Sequence, residues 1–259
     1  MFEDKDIDKM SGHWLLARMG KKVLRPGGKE LTQKLIRELM ITGSDEIVEF
    51  APGLGSTALL ALQNRPLSYT GVDTDADAVK LLSSKIAGNN IAFIQANAAH
   101  TPLQANSKDR VYGEAMLTMQ ADHRKAEIIR EAARILRKGG LYGIHELGLM
   151  PDTPDESMKA EVQKELALAI KVNARPLTTI EWKELLEANG FSVKKVIKAP
   201  MHLLEPKRMI DDEGLAGAAK IAFNILTNSK ARKRILAMRR VFHRYREHIN
   251  AIAIIAEKV

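Results

Sequence analysis

The chain has 259 residues, of which 45% are hydrophobic and 28% charged, and its formal net charge is +8. This length accommodates one sizeable α/β domain, and the composition excludes an intrinsically disordered chain. The lack of cysteine excludes disulfides, thiolate metal sites and cysteine nucleophiles, and no metal site is predicted.

The sequence also lacks the signals of a membrane or secreted protein. No apolar run reaches the roughly 18–20 residues that span a bilayer. The first ten residues, MFEDKDIDKM, are charged and lack the apolar segment of a secretory signal. We therefore expect a cytoplasmic protein without a transmembrane segment.

The chain begins with two expected helices, over 13–24 and 29–41, separated by a break at Pro26, Gly27 and Gly28. Strands and helices then alternate. Strands are predicted over 45–50, 67–73, 90–97, 109–116, 141–147, 191–199 and 249–259. Helices are predicted over 58–64, 76–87, 121–138 and 156–170. A further helix is predicted to begin at Thr178, which forms a capping box with Glu181, and two more helical patterns lie within 200–248. This alternation predicts a doubly wound, parallel sheet.

A glycine turn lies between the first strand and its helix, in the sequence IVEFAPGLGST (47–57). Glycine lets the backbone turn tightly and approach a ligand closely, beside the free N–H groups of a helix start. Asp73 ends the second strand, where a doubly wound fold places the carboxylate that binds a ribose. Gly53 to Ala58 also satisfies G-x-G-x-x-A, the dinucleotide fingerprint, so the spacing alone leaves a dinucleotide as one possible ligand.

Four segments resemble the class I S-adenosylmethionine-dependent methyltransferases. EFAPGLG (49–55) is similar to their E-x-G-x-G-x-G loop and GVDTDADAV (71–79) to their ribose-binding segment. NAAHTPL (97–103) resembles their D-A-x-x-L-P-F motif, and REAARILRKGGLYGIHE (130–146) resembles the region around their fifth strand. The resemblance covers 43–150 continuously, then 178–199 and the final strand.

The resemblance implies an α/β fold: a doubly wound, Rossmann-like, seven-stranded and mostly parallel sheet with helical cap insertions. We expect a single methyltransferase domain over 1–259. Its core would comprise about 43–150, 178–199 and 249–259, and its helical cap 1–42, 151–177 and 200–248.

The resemblance also implies a set of residues that bind S-adenosyl-L-methionine. The loop would contact the methionine and sugar, Asp73 the ribose, and Gly113 the methionine end. The full cofactor set is Glu49, Ala51, Gly53, Gly55, Asp73, Thr74, Asn97, Ala98, Gly113 and Arg25. Ala51 replaces a usual glycine, Pro52 lacks an N–H donor, and Asn97 replaces an acid at the adenine edge.

Three of these residues have alternative interpretations that the sequence leaves open. Asp73 can be the N-cap of the following helix, and Asn97 can be a turn residue. Arg25 can pair with the cofactor carboxylate or lie on the surface.

Catalytic candidates come from strand ends on the ligand side, because the family has no universal catalytic residue. His145 and Glu146 end the fifth strand and Glu114 ends the fourth. Each can serve as a base, and the alternative for His145 and Glu146 is a structural hydrogen bond. His13 and Trp14 can cap the pocket together with Arg25.

Several methyl acceptors are disfavoured. Enzymes that methylate cytosine at C5 and enzymes that methylate arsenite need cysteines, which this chain lacks. Methyltransferases for the exocyclic amines of DNA carry an Asn/Asp-Pro-Pro-aromatic motif after the fourth strand, where this chain reads GEAMLTM (113–119). The leading hypothesis is a methyltransferase for a small, partly apolar molecule. The alternatives are an RNA methyltransferase, a non-catalytic S-adenosylmethionine-binding protein and, more remotely, a nicotinamide oxidoreductase.

The segment 229–248 concentrates the positive charge of the chain. It is predicted as a helix with one apolar face, formed by Ile235, Met238, Phe242 and Tyr245. We interpret it as a cap helix over the pocket with a solvated basic exterior. RNA binding is less favoured because exposed aromatics are not evident, and contact with an anionic membrane is a further alternative. The oligomeric state is not indicated.

Overall fold

The computed structural model describes residues 6–259, so the first five residues of the predicted cap lie outside the described residues. The helices are α1 Gly12–Arg18, α2 Gly28–Glu38, α3 Ser56–Leu62, α4 Ala76–Lys85, α5 Asp122–Ile135, α6 Glu156–Ile170, α7 Thr179–Glu187, α8 Pro206–Thr227 and α9 Ser229–Arg244. The strands are β1 Glu46–Phe50, β2 Ser68–Asp73, β3 Ile91–Gln95, β4 Lys108–Glu114, β5 Leu136–Leu149, β6 Leu177–Thr178, β7 Phe191–Pro200 and β8 Ile249–Lys258.

The sheet follows the order β3-β2-β1-β4-β5-β8-β7. Strands β1 to β5 pair in parallel, whereas β8 is antiparallel to both β5 and β7. The two-residue strand β6 pairs with the end of β5 and adds an eighth strand that the sequence did not predict. The predicted fold class, a doubly wound and mostly parallel α/β sheet with helical insertions, is confirmed.

The predicted end of the fifth helix was wrong by three residues. Helix α5 ends at Ile135, and β5 begins at Leu136 instead of residue 141. Arg137 and Lys138 are good helix formers, but Leu136 pairs with Lys108 of β4, and Gly139 takes a positive φ of 77° within β5, where the pairing with β4 is irregular. Strand pairing therefore overrides helix propensity here.

Helix α2 belongs to the region predicted as cap, yet it covers the sheet. Leu31, Leu35 and Leu39 are buried in the cluster that includes Ile47 of β1 and Ala251 of β8. A side chain at Gly143 of β5 would lie 3.0 Å from Leu35, so glycine permits this close approach.

The helices α1, α6, α8 and α9 share a separate apolar cluster. Its most buried members include Leu15, Val162, Leu166, Ile221 and Met238. The helix predicted over 229–248 ends at Arg244, but its predicted apolar face is buried, since Ile235, Met238 and Phe242 of α9 and Tyr245 directly after it are all shielded from solvent. No helix within residues 6–259 is long and apolar enough to cross a membrane.

Candidate active site

A cavity of about 500 Å³ lies where β1, β2 and β4 reach their carboxyl ends. Its floor is formed by the glycine loop, by the ends of β2 and β4 and by the turn after β3. Its roof comes from α1 and from the α1–α2 loop, which contains residues 19–27. The sequence-predicted residues that line it are His13, Trp14, Arg25, Ala51, Gly53, Asp73, Thr74, Asn97, Ala98 and Glu114. Five others, within the described part of the chain, lie outside its lining: Glu49, Gly55, Gly113, His145 and Glu146.

The glycine loop keeps its turn although it lacks the first glycine. Ala51 has a φ of 54°, in the left-handed region that glycine adopts without strain. At Gly53 a side chain would meet only the Ala51 carbonyl oxygen at 3.9 Å, so its backbone is open to the cavity. At Gly55 a side chain would lie 2.6 Å from Leu82 of α4. Gly53 thus permits close approach of a ligand, and Gly55 permits close packing of two helices.

Asp73 presents a carboxylate to the cavity from the end of β2. Its Oδ1 accepts a hydrogen bond from the Asp75 N–H at 3.0 Å. The N-cap of α4 is Asp75, whose carboxylate accepts from the N–H groups of Asp77 and Ala78. The alternative interpretation of Asp73 as the N-cap was therefore wrong. Burial raises the pKa of Asp73, and hydrogen bonds from the backbone of Asp75 and Gly53 oppose that effect.

Asn97 forms a turn and lines the cavity at the same time. Its Oδ1 accepts from the Ala99 N–H at 2.9 Å, and its backbone carbonyl accepts from the His100 N–H at 2.8 Å. An amide oxygen has two lone pairs, so Oδ1 can accept one further hydrogen bond. The turn interpretation and a contact with a ligand are compatible.

Arg25 and Glu114 form a buried ion pair at the cavity wall. Arg25 Nη1 lies 2.5 Å from Glu114 Oε2 and also donates to Thr57. Glu114 Oε1 accepts from Thr32 at 2.6 Å and lies 2.7 Å from His145 Nδ1. Burial alone would raise the pKa of Glu114, but the charge of Arg25 and the His145 and Thr32 hydrogen bonds outweigh it and lower the pKa to about 2.

One donor of Arg25 is not used in this network. Its Nε is buried and, among the described residues, has no hydrogen-bond partner. A buried N–H without a partner costs free energy, and a bound anion would remove that cost. The Arg25 side chain thus fits a carboxylate placed in the cavity.

The loop that carries Arg25 is held by two acids of α8. The fully buried Lys21 ammonium lies 3.2 Å from Asp212 and 3.7 Å from Glu213. Asp212 also accepts from the Lys29 N–H at 2.8 Å. Glu213 accepts from the N–H groups of the two residues after Lys21, at 2.8 and 2.9 Å. The sequence did not predict these contacts between α8 and the α1–α2 loop. Their only signal in the sequence is the acidic run Asp-Asp-Glu (211–213) before Gly214.

Comparison with known proteins identifies the family. Residues 48–144 match the family model described as a methyltransferase domain. A Haemophilus influenzae protein, described as uncharacterized, is 32% identical over 251 residues, which cover 95% of this chain and 98% of that protein. The chain belongs to the class I S-adenosylmethionine-dependent methyltransferases.

Solved structures agree with this fold. The methyltransferase superposes on the (4+2)-cyclase SpnF with a TM-score of 0.71 at 15% identity, over 94% of this chain and 92% of that one. A phosphoethanolamine N-methyltransferase of Haemonchus contortus, in complex with phosphomonomethylethanolamine and S-adenosylhomocysteine, gives a TM-score of 0.72 at 16% identity. That match covers 95% of this chain and 57% of that one.

S-adenosylmethionine is the cofactor of this methyltransferase, and the cavity fits it. The open backbone at Gly53, the Asp73 carboxylate and the unpaired Arg25 donor offer partners for the sugar hydroxyls and for the amino-acid part. When bound, S-adenosylmethionine supplies a methyl group already activated by its sulfonium. The dinucleotide alternative and the nicotinamide oxidoreductase are thereby set aside.

Glu146 supports the wall of the cavity from behind. Its carboxylate is fully buried and accepts hydrogen bonds from the N–H groups of Met116, Leu117 and Thr118 and from the Thr118 hydroxyl, at 2.7–3.0 Å. Burial raises the pKa of Glu146, and these hydrogen bonds oppose that effect. The contacts favour a role in shaping the loop after β4, so a catalytic role stays a prediction.

His145 is likewise fully buried, between two acceptors. Its Nδ1 faces Glu114 Oε1 at 2.7 Å and its Nε2 faces the Pro26 carbonyl at 2.5 Å. Both ring nitrogens thus have partners inside the protein, and the ring does not line the cavity. The contacts favour the structural interpretation of His145 and leave its catalytic role a prediction.

Proposed function

We propose that this methyltransferase methylates a small molecule with an apolar part. The observation that carries the proposal is a second cavity, of about 70 Å³, that adjoins the first. Apolar residues of the cap, including Leu16, Ile170, Met238 and Phe242, line it. Residues that line both cavities are His13, Leu24, Ala115 and Met119. An acceptor at this junction would face the cofactor site and place its apolar part under the cap.

His13 is the residue that we propose to accept a hydrogen bond from the O–H or N–H group of the methyl acceptor. Burial lowers its pKa to about 4, so the imidazole is neutral at pH 7. Its Nε2 lies 3.4 Å from the Ser11 hydroxyl, and the ring lines both cavities. A neutral imidazole at the junction can accept this hydrogen bond, whereas its lowered pKa makes it a weak base for full proton transfer.

The cations of α9 support a small acceptor over RNA. Lys230 lies 3.6 Å from Asp8, Arg239 lies 3.1 Å from Glu205, and Arg244 lies 3.9 Å from Glu165. These acids belong to the same chain and compete with phosphates. The apolar cavity offers no cationic channel for a nucleic-acid strand, since its lining among the described residues contains neither Lys nor Arg.

Replacement of Asp73 by Ala should weaken binding of S-adenosylmethionine by about 1.5–3 kcal/mol, roughly 10–150-fold, through loss of charged hydrogen bonds to the ribose. Calorimetry with S-adenosylmethionine and S-adenosylhomocysteine measures the change. The control is Asp77→Ala, which removes an exposed carboxylate from the first turn of α4. An Asp73→Ala protein with unchanged affinity would show that Asp73 does not hold the ribose.

Replacement of Val172 by Phe should reduce methylation of the acceptor at least tenfold, because the larger ring fills the second cavity. Binding of S-adenosylmethionine should change less than threefold, since Val172 lies outside the lining of the first cavity. Turnover is measured as S-adenosylhomocysteine formed with a panel of small amines, phenols and carboxylic acids bearing short apolar groups, and with total RNA.

The matched control is Leu168→Phe, which adds a ring at an exposed position of α6. Loss of small-molecule turnover in Val172→Phe alone supports the proposal. Turnover of RNA without any small molecule, or equal turnover by the two variants and the unmodified enzyme, would contradict it.

A further inference from the structure

An unpartnered apolar face lies on the second half of α8, away from both cavities. The helix bends at Gly214, where φ is 74° and ψ is 167°. Beyond the bend, five apolar residues at helical spacing are exposed: Leu215, Ala219, Ala222, Phe223 and Leu226. The side chains of Leu215, Phe223 and Leu226 are 74%, 66% and 64% exposed.

The opposite side of this half-helix already packs on the protein. Ile221 is buried in the cluster shared with α1, α6 and α9, and Ile225 packs against the same cluster. The second half of α8 is therefore apolar on two sides, only one of which is covered by residues 6–259. Such exposure of large side chains marks a contact surface.

The charged residues of α8 beyond its bend and of α9 are all cations, of which Lys230, Arg239 and Arg244 pair with acids of other segments. Between Glu213 and Glu247 the sequence contains nine Lys and Arg residues and no Asp or Glu. Lys220 lies on α8 itself and is exposed, and Arg232 donates to the Leu226 carbonyl at 3.1 Å, at the end of the apolar face. On α9 the exposed residues Lys233, Leu236 and Arg240 follow one another at helical spacing.

We propose that this surface, formed by the exposed sides of α8 and α9, docks on an anionic lipid bilayer. Apolar side chains flanked by Lys and Arg are what an interfacial helix needs: the former enter the acyl boundary and the latter meet anionic headgroups. A second copy of the chain would bring like charges together, and RNA would leave three large aliphatic or aromatic side chains unburied. The proposal does not depend on the identity of the methyl acceptor.

Helix α9 contributes to both the docking surface and the lining of the second cavity. Met238 and Phe242 of α9 line that cavity, whereas Leu236 and Arg240 point to the outside. A helix is about 10 Å thick, so a bilayer on the outer side would lie about one helix diameter from the apolar cavity. An acceptor dissolved in the bilayer would thus have a short path to the site.

Vesicle flotation with the full-length protein tests the proposal. The protein should bind vesicles that contain phosphatidylglycerol and not vesicles of neutral phosphatidylcholine, and binding should weaken as salt rises. Phe223→Ser and Leu226→Ser should each weaken binding to the phosphatidylglycerol vesicles about tenfold. Lys220→Gln, Lys233→Gln and Arg240→Gln should weaken it about fivefold each and about a hundredfold together.

The matched control is Leu59→Ser with Leu168→Ser, which removes two comparably exposed leucines on α3 and α6. All substituted side chains are exposed, and circular dichroism verifies that each variant is folded. No binding to anionic vesicles, equal binding to both lipids, or equal loss in the control would overturn the proposal. Salt-sensitive RNA binding without vesicle binding, or a dimer that Phe223→Ser disrupts, would overturn it in favour of those partners.

Discussion

Replacement of Arg25 by Met should lower the free energy of unfolding at pH 7 by about 3–5 kcal/mol, because it leaves the Glu114 carboxylate buried without its cation. Both side chains are largely shielded from water, at 14% and 4% exposure, so solvent screens their attraction little. Met occupies similar space without a charge, which separates the loss of the ion pair from the loss of packing. Urea denaturation measures the change.

The pH dependence of this loss should identify Glu114 as its source. In the unmodified protein the pKa of Glu114 is held at about 2, below the ordinary value of 4.5. A carboxylate with a depressed pKa stabilises the fold above the unfolded value, and this contribution is lost as pH falls through the folded value. The stability curves of the unmodified protein and Arg25→Met should therefore converge as pH falls from 4.5 toward 2.

A double substitution separates charge balance from cofactor binding. Arg25→Met with Glu114→Gln should recover most of the lost stability, because no unpaired buried charge remains. Its affinity for S-adenosylmethionine should stay as low as in Arg25→Met if the guanidinium holds the cofactor carboxylate. Equal stability losses in the single and double variants would contradict the ion-pair argument. Recovery of affinity in the double variant would contradict cofactor binding by Arg25.

Local patterns predicted most of the fold because they arise from short-range physics. The glycine turn, the alternation of strands and helices and the capping box of Thr178 and Glu181 all depend on residues a few positions apart. In the structure Thr178 accepts from the Glu181 N–H and Glu181 accepts from the Thr178 N–H. Helix 156–170 was likewise predicted with both of its ends.

Features that depend on distant partners could not be predicted in this way. The short strand β6 exists only because Leu177 and Thr178 meet the end of β5. Lys21 and Asp212, which fix the loop over the cavity, are separated by 191 residues. A charged run and a lone lysine carry no signal of such a pairing in a single sequence.

The candidate site likewise has one part that local motifs predict and another that depends on distant contacts. Its floor follows from motifs at strand ends, so Gly53, Asp73 and Asn97 were found at the cavity. Its roof and its second cavity come from insertions that pack over the sheet through apolar contacts and through ion pairs between distant residues, such as Lys21 with Asp212. His13 was therefore predicted only as a capping residue, and its position between two cavities emerged from the structure.

Replacement of Glu49 by Gln should raise the free energy of unfolding relative to the unmodified protein. This difference between the two proteins should be about 3 kcal/mol larger at pH 8 than at pH 5. Burial raises the pKa of Glu49 to about 7, although hydrogen bonds from Tyr69 and Tyr112, at 2.6 and 3.0 Å, oppose the shift. A folded pKa above the unfolded value of 4.5 means that stability is full below 4.5 and is lost as pH rises through 7. A shift of about 2.5 pKa units corresponds to about 3 kcal/mol.

The difference between the two proteins isolates Glu49 from other groups that titrate in this range. The lowered pKa of His13 has the opposite effect, since its stability contribution is lost as pH falls toward 4, but it is common to both proteins. The amide oxygen introduced by Glu49→Gln can still accept from both tyrosine hydroxyls, so the end of β1 should keep its geometry. The control is Glu187→Gln, at an exposed position at the end of α7.

Urea titrations of the three proteins from pH 5 to pH 8 provide the measurement. A stability difference between Glu49→Gln and the unmodified protein that does not change with pH would show that Glu49 stays ionised throughout, held by Tyr69, Tyr112 and the Arg25 charge. A growing difference would show that the carboxyl takes up a proton near neutral pH, directly behind the loop that we assign to the cofactor. In that case the charge of Glu49, next to the glycine turn, changes near pH 7. The affinity for the sulfonium cation should then rise with pH in the unmodified protein but not in Glu49→Gln.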